Sequence, residues 1–308
     1  MERFENWMSY SYDGVEYGNK ISYKSQFNLL INKKVSASSI PSYRDALFNN
    51  AKIMRDSYNE PFDVCLSGGI DSEVIVRTFK TLGIKFNTFI FRLEDNLNIK
   101  DVSDALDICT ELNLDYKIID FNLRSFFEND ALTLFKNHPY VIVERLPRIK
   151  WIDYLDNIPI FGDGEPYWRR TKENNFSIKS DWKFVFAEEA QYANAFYARK
   201  MNRTVISEWY EYTPEIILSY YRTPLIQKLL NDEILGKISC YSSRAELHQD
   251  IWSEIKYKQK LVGYEGPLET SIGELPEYML EFHNCYIKQY EFTKLWYSID
   301  ELENLLLD

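Results

Sequence analysis

The stretch "FDVCLSGGIDSEVIVRTFKTLG", residues 62–83, decides how the rest of the chain is read. Asp63-Val-Cys-Leu66 reads as a buried strand. Ser67, Gly68, Gly69, Ile70, Asp71 and Ser72 follow. A helical apolar pattern then runs over 71–82, with Gly83 as its C′ residue. The two glycines let the backbone turn sharply and bring amides close to an anion without Cβ interference. The helix start aims further N–H groups at the same point, and Ser67 and Ser72 add hydroxyls. Asp71 is the odd member, because a carboxylate repels a phosphate unless a divalent cation lies between them. Mg2+ commonly takes one or two carboxylates together with substrate phosphates. The loop therefore reads as a Mg2+-polyphosphate cradle. A plain strand–turn–helix, capped by Ser67 or Asp71, is the alternative.

Working outward, Leu47, Ala51, Met54 and Tyr58 recur at three- and four-residue spacing and predict an amphipathic helix over 42–58. After the loop come a second strand at 86–91 and a helix at 99–113, with Val102, Leu106, Cys109 and Leu112 on one face. A third strand follows at 116–121, then helical stretches near 122–137 and 147–156. A short fourth strand, 158–161, ends in Gly162-Asp163-Gly164. Strands alternating with helices at this spacing imply a parallel sheet covered on both faces, an α/β fold. Thr213-Pro214 and Thr223-Pro224 each place an N-cap residue before proline at the first helical position. Strand signals fade beyond about residue 180, and 263–275 reads as a loop. The expected organisation is an N-terminal arm (1–41) of short strands or extended chain, an α/β domain (42–175) and a helical C-terminal subdomain (176–308).

Composition narrows the function classes. The 308 residues carry a net charge of −11, which argues against a dedicated nucleic-acid binder. A local patch such as Trp168-Arg169-Arg170-Thr171-Lys172 would still suit a single phosphate. Cys65, Cys109, Cys240 and Cys285 show no CxxC spacing, and His138, His248 and His283 form no i, i+4 pair. Neither a disulfide framework nor an all-cysteine zinc site is expected. Cys65, inside the first strand, reads as a small core residue. No 18-residue apolar run occurs, and Met1-Glu-Arg-Phe-Glu-Asn-Trp7 lacks the features of a signal peptide, so a cytoplasmic protein without membrane contact is expected. These readings leave room for a homodimer.

The loop is neither GxxxxGK[ST] nor GxGxxG. Ser67-Gly68-Gly69-Ile70-Asp71-Ser72 matches the SGGxDS signature and resembles the PP-loop, or N-type, ATP pyrophosphatases. That superfamily, adenine nucleotide alpha hydrolase-like in fold, includes asparagine synthetase, NAD synthetase and GMP synthetase, and the resemblance covers roughly residues 42–170. It implies an enzyme that uses ATP and Mg2+. A substrate carboxylate or amide oxygen attacks the α-phosphorus with release of pyrophosphate, and ammonia or an amine then displaces AMP. By motif match, Ser67, Gly68, Gly69, Asp71 and Ser72 would hold the pyrophosphate and its Mg2+. Leu66, Phe91 and Arg92 would flank the adenosine, and Gly162 joins them as an ATP-contacting position. ATP and a small molecule are the implied partners.

Phe161-Gly-Asp-Gly-Glu165 is similar to the SGxGxDE-type loop of asparagine synthetase-like enzymes, whose acidic residue helps hold Mg2+. The resemblance makes Asp163 the second metal carboxylate beside Asp71, with a tight acidic turn as the alternative. Pro166-Tyr167 departs from that pattern. No N-terminal cysteine nucleophile follows Met1, so an asparagine synthetase-like enzyme without its glutaminase is the expected reading. NAD synthetase is the competitor, because its loop is often SGGIDS letter for letter. Lys256, Lys258 and Lys260 lie on a predicted helix. Lys260 is taken as the catalytic candidate for stabilising the adenylate or pyrophosphate, against a solvated helix face. A degenerate ATP-binding module is the alternative from another class. The composition also resembles that of PP-loop proteins of large phages, where nucleotide modification would be the setting.

Overall fold

The computed structural model describes residues 8–12, 15–16, 26–31, 34–137, 146–162, 167–170, 182–185, 189–207, 209–231, 241–256, 277, 291–292 and 296–308. Helix α1 (Tyr43–Ser57) opens the α/β part. Ser42 caps it, its Oγ accepting from Asp45 N at 3.2 Å. The predicted apolar stripe is the buried face, with Leu47, Ala51 and Met54 all inaccessible. Then follow β1 (Phe62–Cys65), α2 (Ile70–Leu82), β2 (Phe86–Leu93), α3 (Ile99–Leu112), β3 (Tyr116–Phe121), α4 (Leu123–Asn129), α5 (Ala131–Asn137), α6 (Leu146–Trp151) and β4 (Ile158–Ile160). Gly83 ends α2 at φ +67, with Ile84 N donating to Phe79 O at 3.0 Å. Asn113 does the same for α3 at φ +48. These left-handed caps release the chain into the next strand.

The four strands pair in parallel in the order β3-β2-β1-β4. Ile206 adds a parallel bridge beyond β4. Phe161 N donates to Ile206 O at 2.9 Å, and Ile206 N to Pro159 O at 2.8 Å. Both sheet faces are covered, and strand alternation shows which helix lies where. Phe86 meets Phe79 of α2, whereas Phe91, five positions on and therefore on the opposite face, stacks on Trp151 of α6. The α/β expectation is met, with every strand boundary within two residues of its prediction.

The base of the sheet is set by a buried carboxylate. Asp63 accepts from Asn87 Nδ2 (2.8 Å), Asn157 N (2.9 Å) and Asn157 Nδ2 (2.9 Å), so its burial costs little. On α2, Arg77 bonds Glu73 at 2.8 Å within the helix and Glu111 of α3 at 2.7 Å. Burial alone would lower the Arg77 pKa, but the hydrogen bonds it donates to Glu111 and Glu73, with their charges, outweigh this and raise the value.

Further along are α7 (Glu189–Lys200), α8 (Pro214–Tyr221), α9 (Pro224–Asn231), α10 (Tyr241–Gln249) and α11 (Ile299–Leu306). The helices after Thr213-Pro214 and Thr223-Pro224 form as predicted. The expectation that strands fade beyond residue 180 is corrected. Residues 182–185 lie between 167–170 and 296–297 in an antiparallel sheet, and 291–292 joins residues 26–31. These strands are two to four residues long, too short to show a period-two pattern. In the N-terminal arm, 8–12 pairs antiparallel with 15–16 and 26–31. Among the described residues, no helix is long and apolar enough to cross a membrane.

Candidate functional site

In an open parallel sheet, ligands bind beyond the carboxyl ends of the strands where strand order reverses. Here that point lies between β1 and β4, and residues 66–72 leave the sheet there. Leu66 is still held as strand, its N–H donating to Phe89 O at 2.8 Å. Gly68 then takes φ +78. A Cβ on it would lie 2.3 Å from Asp101 O, 2.9 Å from Ala105 N and 3.0 Å from Asp104 Cβ. The loop is thus pressed onto the first turn of α3, where only glycine has both the conformation and the space.

Ser72 fixes the loop from inside. Its hydroxyl accepts from Ser67 N at 3.1 Å, reaches Gly69 O at 3.1 Å, and lies 3.1 Å from Ser67 Oγ. Gly69 N donates to Ser67 Oγ at 3.3 Å. Ser72 is only 2% exposed, whereas Ser67 is exposed. In this conformation Ser72 holds the loop's shape, and Ser67 is the hydroxyl open to solvent. Asp71 stands half-buried in the first turn of α2, with one carboxylate oxygen shielded from solvent. The first-turn amides of Ile70 and Ser72 have no acceptor within the helix, so this end of α2 presents partial positive charge.

The end of β4 closes the other side. A Cβ on Gly162 would sit 2.7 Å from Ser72 N, 2.9 Å from Ser72 Cα and 3.0 Å from Asp71 C. The fourth strand therefore delivers its glycine directly onto the 71–72 peptide. Asp163, Gly164 and Glu165, the expected second half of the metal clamp, lie outside the described residues, as do Lys258 and Lys260. Lys256 is exposed. Among the described residues, no three His, Cys, Asp or Glu side chains gather as a metal site.

The residues expected to flank adenosine are held by their own neighbours. Leu66 is buried in the core, and Phe91 stacks on Trp151 with centroids 4.4 Å apart and planes at 9°. Arg92 makes a two-pronged pair with Asp120 at 2.5 and 2.9 Å. The hydrogen bond from Arg92 holds the Asp120 carboxyl below its ordinary value.

Asn98 is a site-shaping residue that sequence reading missed. Its Nδ2 donates to Phe91 O at 2.9 Å and its Oδ1 accepts from Leu93 N at 2.8 Å. Strand β2 runs on past the end of β1, and the Asn98 amide takes up the backbone groups that β1 has left. An asparagine just before a helical run signals an N-cap. Here the side chain serves β2 instead, which sets the first turn of α3 against Gly68.

With this geometry in place, comparison with known proteins is informative over a limited stretch. No family model matches the chain. An NH3-dependent NAD(+) synthetase of Campylobacter jejuni subsp. doylei is 38% identical over 68 residues, which is 22% of this chain and 27% of that protein. The match thus spans about a quarter of the relative's length. Among solved structures, the NH3-dependent NAD synthetase of Campylobacter jejuni subsp. jejuni aligns at 16% identity over 79% of this chain and 91% of its own, with a TM-score of 0.31. The NMN synthetase of Francisella tularensis aligns at 24% identity over 40% of this chain and 53% of its own, with a TM-score of 0.29. These relatives are NAD and NMN synthetases. NAD synthetase belongs to the PP-loop ATP pyrophosphatases whose SGGxDS signature this chain carries.

Proposed function

We propose that the protein is an ATP- and Mg2+-dependent ligase of the PP-loop kind that activates a carboxylate by adenylation, releases pyrophosphate and forms an amide with ammonia. The observation that carries this is the SGGIDS loop seated at the strand-order reversal, pressed between the first turn of α3 and Gly162 at the end of β4. The 38% match to an ammonia-dependent NAD(+) synthetase favours that reaction over the asparagine synthetase-like one, whose support rests on residues 161–165. An ammonia-dependent route to a nicotinamide implies a nicotinate nucleotide as the acceptor to try first.

The residues fit such a ligand. Gly68 and Gly162 let the start of α3 and the end of β4 close directly onto the loop backbone, and a shape-fixing serine keeps the turn narrow. Ser67 and the first-turn amides of α2 would donate to phosphate oxygens, and preorganised donors of this kind account for much of phosphoryl-site catalysis. Mg2+, when bound, would neutralise charge between the phosphates and Asp71. Asp71 would hold it from the first turn of α2. The chemistry balances without a protein nucleophile: the acceptor oxygen displaces pyrophosphate from the α-phosphorus, and ammonia displaces AMP with loss of a proton.

The test is incubation with ATP, Mg2+, ammonium and a panel of carboxylate-bearing nucleotides, nicotinate adenine dinucleotide included. Equimolar AMP and pyrophosphate are expected, with an amide product. Formation of ADP, or turnover undiminished in Asp71→Ala, would overturn the reading.

A further inference from the structure

The peptide between Asp71 and Ser72 is touched by two parts of the chain remote in sequence. Gly162 packs on it from β4, as described above. Tyr210, which belongs to a single-turn segment at residues 209–211, also reaches it and donates its hydroxyl to Asp71 O at 3.2 Å. That carbonyl lies in the first turn of α2, so Tyr210 is a second donor to an acceptor that the helix also uses.

Tyr210 is well placed to hold it, because its own segment is fixed on several sides. Asn50 of α1 donates Nδ2 to Trp209 O at 3.2 Å. The Trp209 ring meets Phe79 of α2 edge-on at 5.5 Å. The Tyr210 ring packs 6.3 Å from His248 of α10, which in turn lies 5.8 Å from Tyr43 of α1. Trp209, Tyr210 and Glu211 are all fully buried. A side chain in such surroundings has little rotamer freedom left, so its hydroxyl acts as a fixed point. The short strap therefore ties α1 and α10 to the one peptide on which the phosphate loop turns into helix.

We propose that Tyr210 is a positioning residue for the phosphate loop: its hydroxyl pins the carbonyl of the same peptide that Gly162 meets and so fixes the first turn of α2 that presents Asp71. The role in ligand binding rests on the nucleotide reading above, whereas the pin itself is a property of the free protein. Tyr210→Phe removes the hydroxyl and keeps the ring packing. Thr78→Val is the control, since it deletes a buried hydroxyl that donates to Val74 O at 2.7 Å within α2, away from the loop.

Amide-resolved hydrogen exchange on the full chain without ligand is the first measurement. Tyr210→Phe should speed exchange of the 70–75 amides by about five-fold, the loss of one modest hydrogen bond. Thr78→Val should leave those amides unchanged. Calorimetric titration with ATP in saturating Mg2+ is the second, and Tyr210→Phe should weaken binding by a similar factor while Thr78→Val does not. Unaltered exchange in Tyr210→Phe would overturn the pin whether or not ATP binds. Faster exchange in a protein whose wild type fails to bind ATP would uphold the pin and remove the nucleotide reading instead. Faster exchange with unchanged ATP affinity would overturn the positioning role.

Discussion

Two glycines and one cysteine show how far a single side chain decides behaviour here. Gly68 has a positive φ and faces a main-chain carbonyl that cannot rotate away. Gly68→Ala should cost about 2 kcal/mol in stability from backbone strain, with further loss from displacing α3. Gly162→Ala carries no positive φ but meets backbone atoms at 2.7 Å, so it should shift the first turn of α2. Both variants should lose Mg2+-dependent ATP binding by about ten-fold or more, read by calorimetry against the shift in denaturant midpoint. Cys109 makes a different point. It is buried on α3, and burial pushes its thiol up to about 11. A folded pKa raised above the unfolded value means stabilisation that is complete below about pH 9 and lost as pH climbs towards 11. The urea midpoint should therefore fall between those pH values, and Cys109→Ala should flatten that part of the profile. At pH 8 the folded thiol should resist alkylation, followed at Cys109 by mass spectrometry, and react on unfolding.

Helices and strands carry the next level, and here the charges on α2 are instructive. Arg77 and Glu73 are nearly inaccessible, whereas Glu111 on α3 is largely open to water. Arg77→Leu leaves the Glu73 carboxylate buried without its cation and should cost about 3–5 kcal/mol. Glu111→Gln removes the exposed partner and should cost about 1 kcal/mol or less. Chemical denaturation of the two variants checks the ordering. The elements themselves were legible wherever pattern and punctuation coincided. Helix α1 shows its stripe of Leu47, Ala51 and Met54, and α2 its closing Gly83. The strands are short runs rich in Val, Ile and Phe, and they could be placed despite Asp63, Asn87, Arg92 and Lys117 because turn and helix signals bound each of them. The strand at 182–185 was not legible, since its pairing with 167–170 and 296–297 is set by partners far away in sequence. For the candidate site, the loop sequence announced the turn and its glycines. Ser72 and Asn98 turn to backbone three to seven residues before them, which presupposes the folded loop and β2, and Tyr210 reaches Asp71 from far along the chain, so no helix or strand period encodes them.

At the scale of the whole molecule, described residues beyond 190, among them Trp209, Ile216, Leu247 and Leu302, pack in the same core as the parallel sheet. Ile206 extends the sheet beyond β4, Asn50 binds the Trp209 carbonyl, and Trp209 packs on Phe79. Arg203 spans back to the turn before β4, its Nη1 donating to Ile152 O at 2.6 Å and its Nη2 to Asn157 O at 3.3 Å. Residue 35 also meets the last helix: Val35 N donates to Leu306 O at 2.9 Å, and Asp308 N to Val35 O at 3.1 Å. Leu302 and Leu306 of α11 are buried beneath that contact. Residues 42–175 can be named as a unit by sequence resemblance, yet the faces of α1 and α2 that meet Trp209 and Tyr210 would be bare without the remainder. A chain ending at residue 175 should therefore keep much of its far-ultraviolet dichroism but lose its near-ultraviolet signal and bind a hydrophobic dye, as a compact state without fixed packing does. The full chain should instead unfold in urea with coincident near- and far-ultraviolet transitions. Leu306→Ala should move both together, by about 2–5 kcal/mol. Separate transitions, or native near-ultraviolet dichroism in the shortened chain, would show that the sheet and its loop stand without the C-terminal region, and Tyr210 would then be dispensable to the site's shape.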